Sequence, residues 1–188
     1  MARKTAAVAD CVAEDTALNL DACFKVLSAT QDQIRFADTK AAFLFGINTL
    51  LFGFVSGTTS LIKKGLVADH IPAVTVVSLV ALIAFVVMAA LAVITLILVV
   101  MSRFGDLAPN SRVFFGHIIK RYGKNYGAYV DDVSCMTELE WVEDVATQIV
   151  EVSHIALIKH QHVRWAGKFT IIGFVFWLIS VFSSSLVS

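Results

Sequence analysis

The strongest constraint on this chain is three long stretches without Asp, Glu, Lys or Arg, at Ala41–Ile62, Ile71–Ser102 and Phe169–Ser188. Each stretch reaches the roughly 20 apolar residues that an α-helix needs to cross the hydrocarbon core of a bilayer. The composition agrees, because 57% hydrophobic residues against 16% charged residues is too apolar for a soluble domain of 188 residues. We therefore predict an all-α membrane protein with three transmembrane helices.

The apolar stretches and their flanks divide the chain into six predicted segments. These are a cytoplasmic N-terminal helix at 1–40, a first span at 41–61, a short external hairpin at 62–74, a second span at 75–101, a cytoplasmic connector and long helix at 102–165, and a third span at 166–187. A polar region with six acidic residues precedes the first span, so that span is not predicted to be a cleavable signal peptide.

The basic residues predict the orientation of the chain. Residues 1–40 contain five Lys and Arg, residues 63–70 contain two, and residues 103–168 contain eight. The positive-inside rule therefore places thirteen of the fifteen basic residues in the cytoplasm. We predict a multi-pass protein with a cytoplasmic N-terminus, and we expect any signal to be sensed from the cytoplasmic side.

Two of the spans are predicted to extend as helices beyond the membrane. No Pro or Gly interrupts residues 20–45, where apolar residues recur at helical spacing, so the N-terminal helix should continue into the first span. Thr137 and Glu140 form a capping box, which predicts the start of a second long helix that runs without Pro into the third span. Between these helices, the sequence predicts interruptions at Gly116, Gly123 and Gly127.

The charged and reactive residues exclude several classes of function. Fifteen basic and fifteen acidic residues leave no net field to favour nucleic acid as a partner. His154, His160 and His162 point to different faces of a helix, and the three cysteines have no metal-ligand spacing, so free thiols are expected. No residue set typical of nucleophilic, acid–base or metal catalysis occurs. We expect a protein that is not an enzyme and uses no metal or other cofactor.

Polar and small residues in the first span predict contacts between helices. An unpaired amide is costly in the bilayer, so Asn48 is expected to face another helix and to hydrogen-bond there. Gly53 and Gly57 form a GxxxG motif, which permits close approach of two helices or of two protomers. Three helices pack without a lumen, so any water-filled path would have to be shared between protomers. A homo-oligomer is predicted.

Basic and aromatic residues meet at the predicted inner boundary of the membrane. They are Lys40, Arg103, Arg164, Trp165 and Lys168. Residues of this kind at one depth can surround a small anion. They are also typical of side chains that only reach from helix ends to the interface, and both interpretations stay open.

Three motifs, in their order along the chain, resemble those of the Pycsar membrane effectors. Phe36–Asn48 reads FADTKAAFLFGIN, Arg112–Ile118 reads RVFFGHI, and Gln148–Lys159 lies in a long helix that enters the final span. The resemblance covers about residues 20–185. It implies a bacterial antiphage protein of the inner membrane that works with a pyrimidine cyclase. On infection, the cyclase would make cyclic CMP or cyclic UMP, and the effector would recognise this messenger and impair the membrane, which causes abortive infection.

The size of the implied messenger sets what its site must contain. A cyclic mononucleotide carries one phosphate charge and one pyrimidine ring, so it needs one or two basic donors, an apolar wall and a few polar contacts. The candidate ligand-binding residues are Lys40, Arg112, Phe114, Phe115, His117 and Tyr126. Phe114 and Phe115 fit equally well a role in burying the connector against the long helices.

A second class of function fits the same sequence. The chain has the features of a non-catalytic helical membrane subunit, such as a small oligomeric channel or a scaffold, unrelated to nucleotide signalling. Toxicity that depends on a cyclic pyrimidine nucleotide would distinguish the two classes.

Overall fold

The fold is described from a computed structural model, which covers residues 2–66, 73–101 and 111–186, with side chains from Leu20 onward except at Leu61, Lys64, Gly65 and Phe115. Its helices are α1 (Ala2–Leu66), α2 (Ala73–Val100), α3 (Phe115–Tyr122), α4 (Tyr126–Ser134) and α5 (Glu138–Ser185). No strand occurs within those ranges. Because α1, α2 and α5 are long and apolar enough to cross a membrane, the prediction of an all-α protein with three spanning helices is confirmed.

Parts of two predicted segments lie outside the described residues. The hairpin predicted at 62–74 includes residues 67–72, and the connector predicted at 102–165 begins with residues 102–110. Arg103, from the predicted basic boundary, also lies outside the described residues.

The two helices predicted to extend beyond their spans are continuous. Helix α1 runs without a break from Ala2 to Leu66, and α5 runs from Glu138 to Ser185. Helix α5 begins with the predicted capping box: the N–H of Glu140 donates to Oγ1 of Thr137 at 3.3 Å, and Oε2 of Glu140 accepts the N–H of Thr137 at 2.7 Å. These bonds satisfy N–H groups that the first turn of a helix leaves without intrahelical partners.

The contacts within the chain divide it into two compact units. Residues 1–35 and 103–157 form one, which we call the connector unit. Residues 36–102 and 158–188 form the other, which we call the membrane unit because it contains the three apolar stretches.

Two apolar clusters hold the helices of the membrane unit together. The first is formed by Ala37, Ala41, Leu96, Val99, Val163 and Ala166. The second is formed by Leu51, Ile62, Leu82, Phe85 and Ala89, with Phe176 and Trp177 packed against it. The first cluster joins the start of the α1 span to the end of α2, whereas the second joins the end of that span to the start of α2. Helix α2 therefore runs antiparallel to α1 and α5.

Large apolar side chains cover the outside of the membrane unit. Phe43 is 69% exposed, Leu50 is 68% exposed and Ile171 is 66% exposed. An apolar surface of this extent is unusual for a soluble monomer. It fits a surface that is solvated by lipid tails instead of water.

The connector unit contains the two short helices. Gly123 ends α3 with a φ of 56°, a left-handed conformation that glycine adopts at little cost, so the predicted interruption at Gly123 is confirmed. The interruptions predicted at Gly116 and Gly127 are wrong, because both residues lie inside helices. Glycine costs only about 1 kcal/mol in a helix, and other interactions outweigh that cost here.

Candidate functional site

The connector unit holds the backbone of Arg112 between two helices. The N–H of Arg112 donates to Oδ2 of Asp144 in α5 at 2.7 Å, and the carbonyl of Arg112 accepts from the hydroxyl of Tyr129 in α4 at 3.3 Å. Just before Arg112, Oγ of Ser111 accepts the N–H groups of the two residues after Arg112, at 3.1 and 3.2 Å, which turns the chain into α3. The position of Arg112 is therefore set by local and by distant contacts.

The guanidinium of Arg112 binds the carboxylate of Asp132, which also contacts Arg121 and Tyr122. Asp132 of α4 accepts from Nε and Nη2 of Arg112 at 3.1 and 3.2 Å, and it accepts from the hydroxyl of Tyr122. Nη2 of Arg121 lies 3.0 Å from Oδ2 of Asp132. The hydrogen bonds from Arg112 and Tyr122 lower the pKa of the Asp132 carboxyl from 3.8 to about 2, so the group is ionised at neutral pH. We call these four residues the Asp132 cluster.

The Asp132 cluster carries more positive than negative charge. Two guanidinium groups face one carboxylate, and a guanidinium has five N–H donors in a planar fork that suits carboxylate and phosphate. The side chains of Arg112, Arg121 and Asp132 are 24%, 39% and 26% exposed, so a solute can reach them. Guanidinium groups at an accessible position are donors that suit a small anion, and the carboxylates of Asp144 and Glu140 also lie near Arg112.

His117 and Phe114 contact each other beside the start of α3. Their ring centroids lie 5.1 Å apart, with the rings edge to face. His117 is 7% exposed, and its Nδ1 has no hydrogen-bond partner among the described residues. A buried imidazole nitrogen without a partner is uncommon in a folded protein. The two predicted residues thus provide an apolar ring and an unpaired polar atom within the same unit as Arg112.

Three ligand-binding candidates remain, which are Tyr126, Phe115 and Lys40. Tyr126 begins α4 but is 78% exposed. The side chain of Phe115 lies outside the described residues. Lys40 belongs to the membrane unit, where its Nζ lies 4.1 Å from the ring centroid of Phe36.

Asn48 makes a buried side-chain hydrogen bond between α1 and α5 in the membrane unit. Its Nδ2 donates to Oγ1 of Thr170 at 2.9 Å and to the carbonyl of Leu44 at 2.9 Å, and Asn48 is 1% exposed. Gly53 and Gly57 differ, because a Cβ added to either would meet no atom within 4 Å. No described helix of the same chain therefore packs closely against these two glycines.

An ion pair links α1 to α5 at the other end of the FADTKAAFLFGIN motif. Nζ of Lys159 lies 2.7 and 2.9 Å from the two carboxylate oxygens of Asp38. The side chain of Lys159 is 8% exposed, whereas that of Asp38 is 44% exposed. Two motifs singled out in the sequence, which are far apart along the chain, are thus joined through Asp38 and Lys159.

The sequence did not identify Asp132, Asp144 or the pair Gln148 and Glu151 as candidate residues. Asp132 has no local signal, because its partner Arg112 lies 20 positions away. The helical spacing of the sequence could have identified Gln148 and Glu151. They are 2% and 8% exposed and fall on a buried face of α5, where apolar side chains are the usual choice.

The comparisons with known proteins give one match. Residues 22–184 match the family described as the Pycsar effector protein domain, PycTM. No curated protein and no solved structure matches the chain. The matched range contains α2 to α4 and most of α1 and α5.

Proposed function

The chain belongs to the Pycsar effector protein family, and from this premise we propose that it senses a cyclic pyrimidine nucleotide, cyclic CMP or cyclic UMP, in the cytoplasm and then impairs the inner membrane. Family membership places the chain in antiviral defence, and its three apolar helices make it a membrane protein. In the proposed system, a pyrimidine cyclase supplies the messenger during infection. Membrane damage would then kill the infected cell before the phage is released.

The Asp132 cluster is the observation that carries this proposal. Its two guanidinium groups and one carboxylate leave an excess of positive charge at a solvent-accessible position, which suits the single negative charge of a cyclic phosphate. Phe114 and His117 of the same unit supply a ring and an unpaired nitrogen for further contacts. We propose that the phosphate binds Arg112 and Arg121, with the pyrimidine directed toward the helices of the connector unit.

The proposed response needs no chemical reaction. Helices α1 and α5 each contribute residues to both units and are continuous. A change in the packing of these helices in the connector unit can therefore pass along them to the membrane unit. We propose that the protein acts as a ligand-gated oligomer in this way, and not as an enzyme.

Binding to the purified full-length protein in detergent tests the sensing step. Replacing Arg112 by Ala removes a charge-assisted phosphate contact worth about 1.5–3 kcal/mol, so the affinity for the messenger should fall about tenfold to hundredfold. Arg112→Lys, which keeps the charge but loses the fork, should retain part of the affinity. Lys124→Ala is the matched control, because Lys124 is an exposed basic residue of the same unit.

The outcome separates this proposal from the scaffold or channel alternative. Calorimetry should detect cyclic CMP or cyclic UMP binding by the wild type, with helical content by circular dichroism as the folding control. Cells that express the protein should take up a membrane-impermeant dye only when the messenger is supplied. If the folded wild type binds neither nucleotide, the protein is instead a helical subunit unrelated to nucleotide signalling.

A further inference from the structure

Helix α5 carries a buried polar pair in the connector unit. Gln148 is 2% exposed and Glu151 is 8% exposed, and Nε2 of Gln148 donates to Oε2 of Glu151 at 3.3 Å. The second carboxylate oxygen, Oε1 of Glu151, is buried and has no hydrogen-bond partner within the described residues. Glu151 therefore has one acceptor atom without a partner among the described residues of the unit.

This arrangement is costly unless something binds it. A buried carboxylate is normally paired with a cation or fully hydrogen-bonded, since the loss of hydration is otherwise uncompensated. None of the ion pairs found in the part of the chain that the structure describes involves Glu151. A ligand that donates a hydrogen bond to Oε1 of Glu151 would offset this cost.

The pair lies on the same helix face as the residue that holds Arg112. Asp144, whose Oδ2 accepts the N–H of Arg112 at 2.7 Å, precedes Gln148 by four positions and Glu151 by seven. Residues with this spacing share one face of a helix. Glu151 lies roughly 10 Å from Asp144 along the helix axis, which is comparable to the length of a nucleotide from its phosphate to the far edge of its base.

We propose that Gln148 and Glu151 bind the base edge of the cyclic nucleotide and that Glu151 selects cytosine over uracil; this inference rests on the function proposed above. The unpartnered Oε1 of Glu151 can accept a hydrogen bond, and the N4 amino group of cytosine is the exocyclic donor that Glu and Asp bind in nucleic acids. Uracil carries a carbonyl oxygen at the same position. Two acceptors would then face each other, and the buried Glu151 would remain unsatisfied.

The preference between the two bases is measured on the wild type and on isosteric variants. Wild-type protein in detergent should bind cyclic CMP about tenfold to hundredfold more tightly than cyclic UMP, as expected when one base leaves a buried polar group unpaired. Glu151→Gln adds a donor with little change in volume, so the preference should fall to within about threefold. Glu143→Gln, at an exposed glutamate of the same helix, should keep the wild-type preference.

Each result distinguishes this inference from the function on which it rests. If the wild type prefers cyclic UMP, or binds both nucleotides equally, the inference is overturned but the proposed sensing function is not. This test requires only the wild-type protein. The inference is also overturned if folded Glu151→Gln protein prefers cyclic CMP by the same factor as the wild type. Binding of neither nucleotide by the wild type overturns both the sensing function and the inference.

Discussion

At the scale of single residues, Asp132 connects three side chains of the connector unit. It joins Arg112, before α3, to Arg121 and Tyr122, at the end of α3. The carboxylate thereby neutralises part of the charge of two guanidinium groups and holds them close together. The phosphate of the proposed messenger would compete with this carboxylate for the N–H donors of the two guanidinium groups.

The depressed pKa of Asp132 predicts how the stability of the connector unit depends on pH. Because the folded-state pKa of about 2 lies below the ordinary value of 3.8, the ionised carboxylate stabilises the folded unit. This contribution is complete above about pH 5 and is lost as the pH falls toward about 2. Asp132→Asn should therefore lower the urea midpoint at neutral pH, and the difference from wild type should vanish near about pH 2.

Tryptophan fluorescence can isolate this effect in the connector unit. Trp141 is the one tryptophan of that unit, so it can report unfolding in a background in which Trp165 and Trp177 are replaced by Phe. Asp131→Asn is the control, since Asp131 is the exposed neighbour of Asp132. A difference between wild type and Asp132→Asn that persists unchanged to the lowest pH would show that the ion pairs do not stabilise the unit.

For the helices as elements, the ion pair between Asp38 and Lys159 predicts an asymmetry between two substitutions. Asp38→Asn leaves the buried ammonium of Lys159 without its counter-charge, whereas Lys159→Met leaves a carboxylate that is 44% exposed and can be hydrated. We expect Asp38→Asn to destabilise the membrane unit more than Lys159→Met. The double variant should be less unstable than the sum of the two single variants.

Unfolding of detergent-solubilised protein by added SDS measures this order. Lys63→Met is a suitable control, because it removes an exposed basic side chain of α1 within the membrane unit. Equal effects of the two single substitutions would indicate that the ion pair is fully hydrated in the membrane protein.

The exposed glycines of α1 allow a test of oligomerisation that leaves the single chain intact. Since no atom lies within 4 Å of a Cβ added to Gly53 or Gly57, Leu at both positions fits within one chain. If the GxxxG motif packs against a second protomer, the double substitution should weaken crosslinking between protomers and reduce messenger-dependent toxicity. Helical content and monomer stability should not change.

Gly173 provides the contrasting substitution. A Cβ at Gly173 would lie 3.3 Å from Cβ of Met88, so Leu at this position disrupts packing inside the membrane unit. Gly173→Leu should therefore destabilise the protomer itself. If the Gly53→Leu, Gly57→Leu protein crosslinks and kills cells as the wild type does, this face of α1 is not part of the interface between protomers.

For the whole molecule, the basic residues predict the topology. Single cysteines in a Cys-free variant should react with a membrane-impermeant reagent at position 68 and stay protected at position 130 in intact cells, because thirteen of the fifteen Lys and Arg lie in residues 1–40 and 103–168. Labelling at position 130 in lysed cells controls for the reactivity of that site. The reverse pattern would contradict sensing from the cytoplasm.

Much of the architecture follows from the sequence because it depends on local properties. The three spans follow from the lack of charge over long apolar stretches. The start of α5 follows from the spacing of Thr137 and Glu140, which bond within one helical turn. The end of α3 follows from Gly123, because glycine lacks a Cβ and adopts a positive φ at little cost.

The candidate site depends on the tertiary structure, because its interactions join residues that are distant in the chain. Sequence reasoning selected Arg112 for its charge, but the orientation of its side chain depends on Asp132 and the position of its backbone on Asp144. The partner of Asn48 is Thr170, 122 positions away, and no local pattern identifies such a pair. Only the packing of the helices determines which polar groups meet and which, like Oε1 of Glu151, remain without a partner among the described residues.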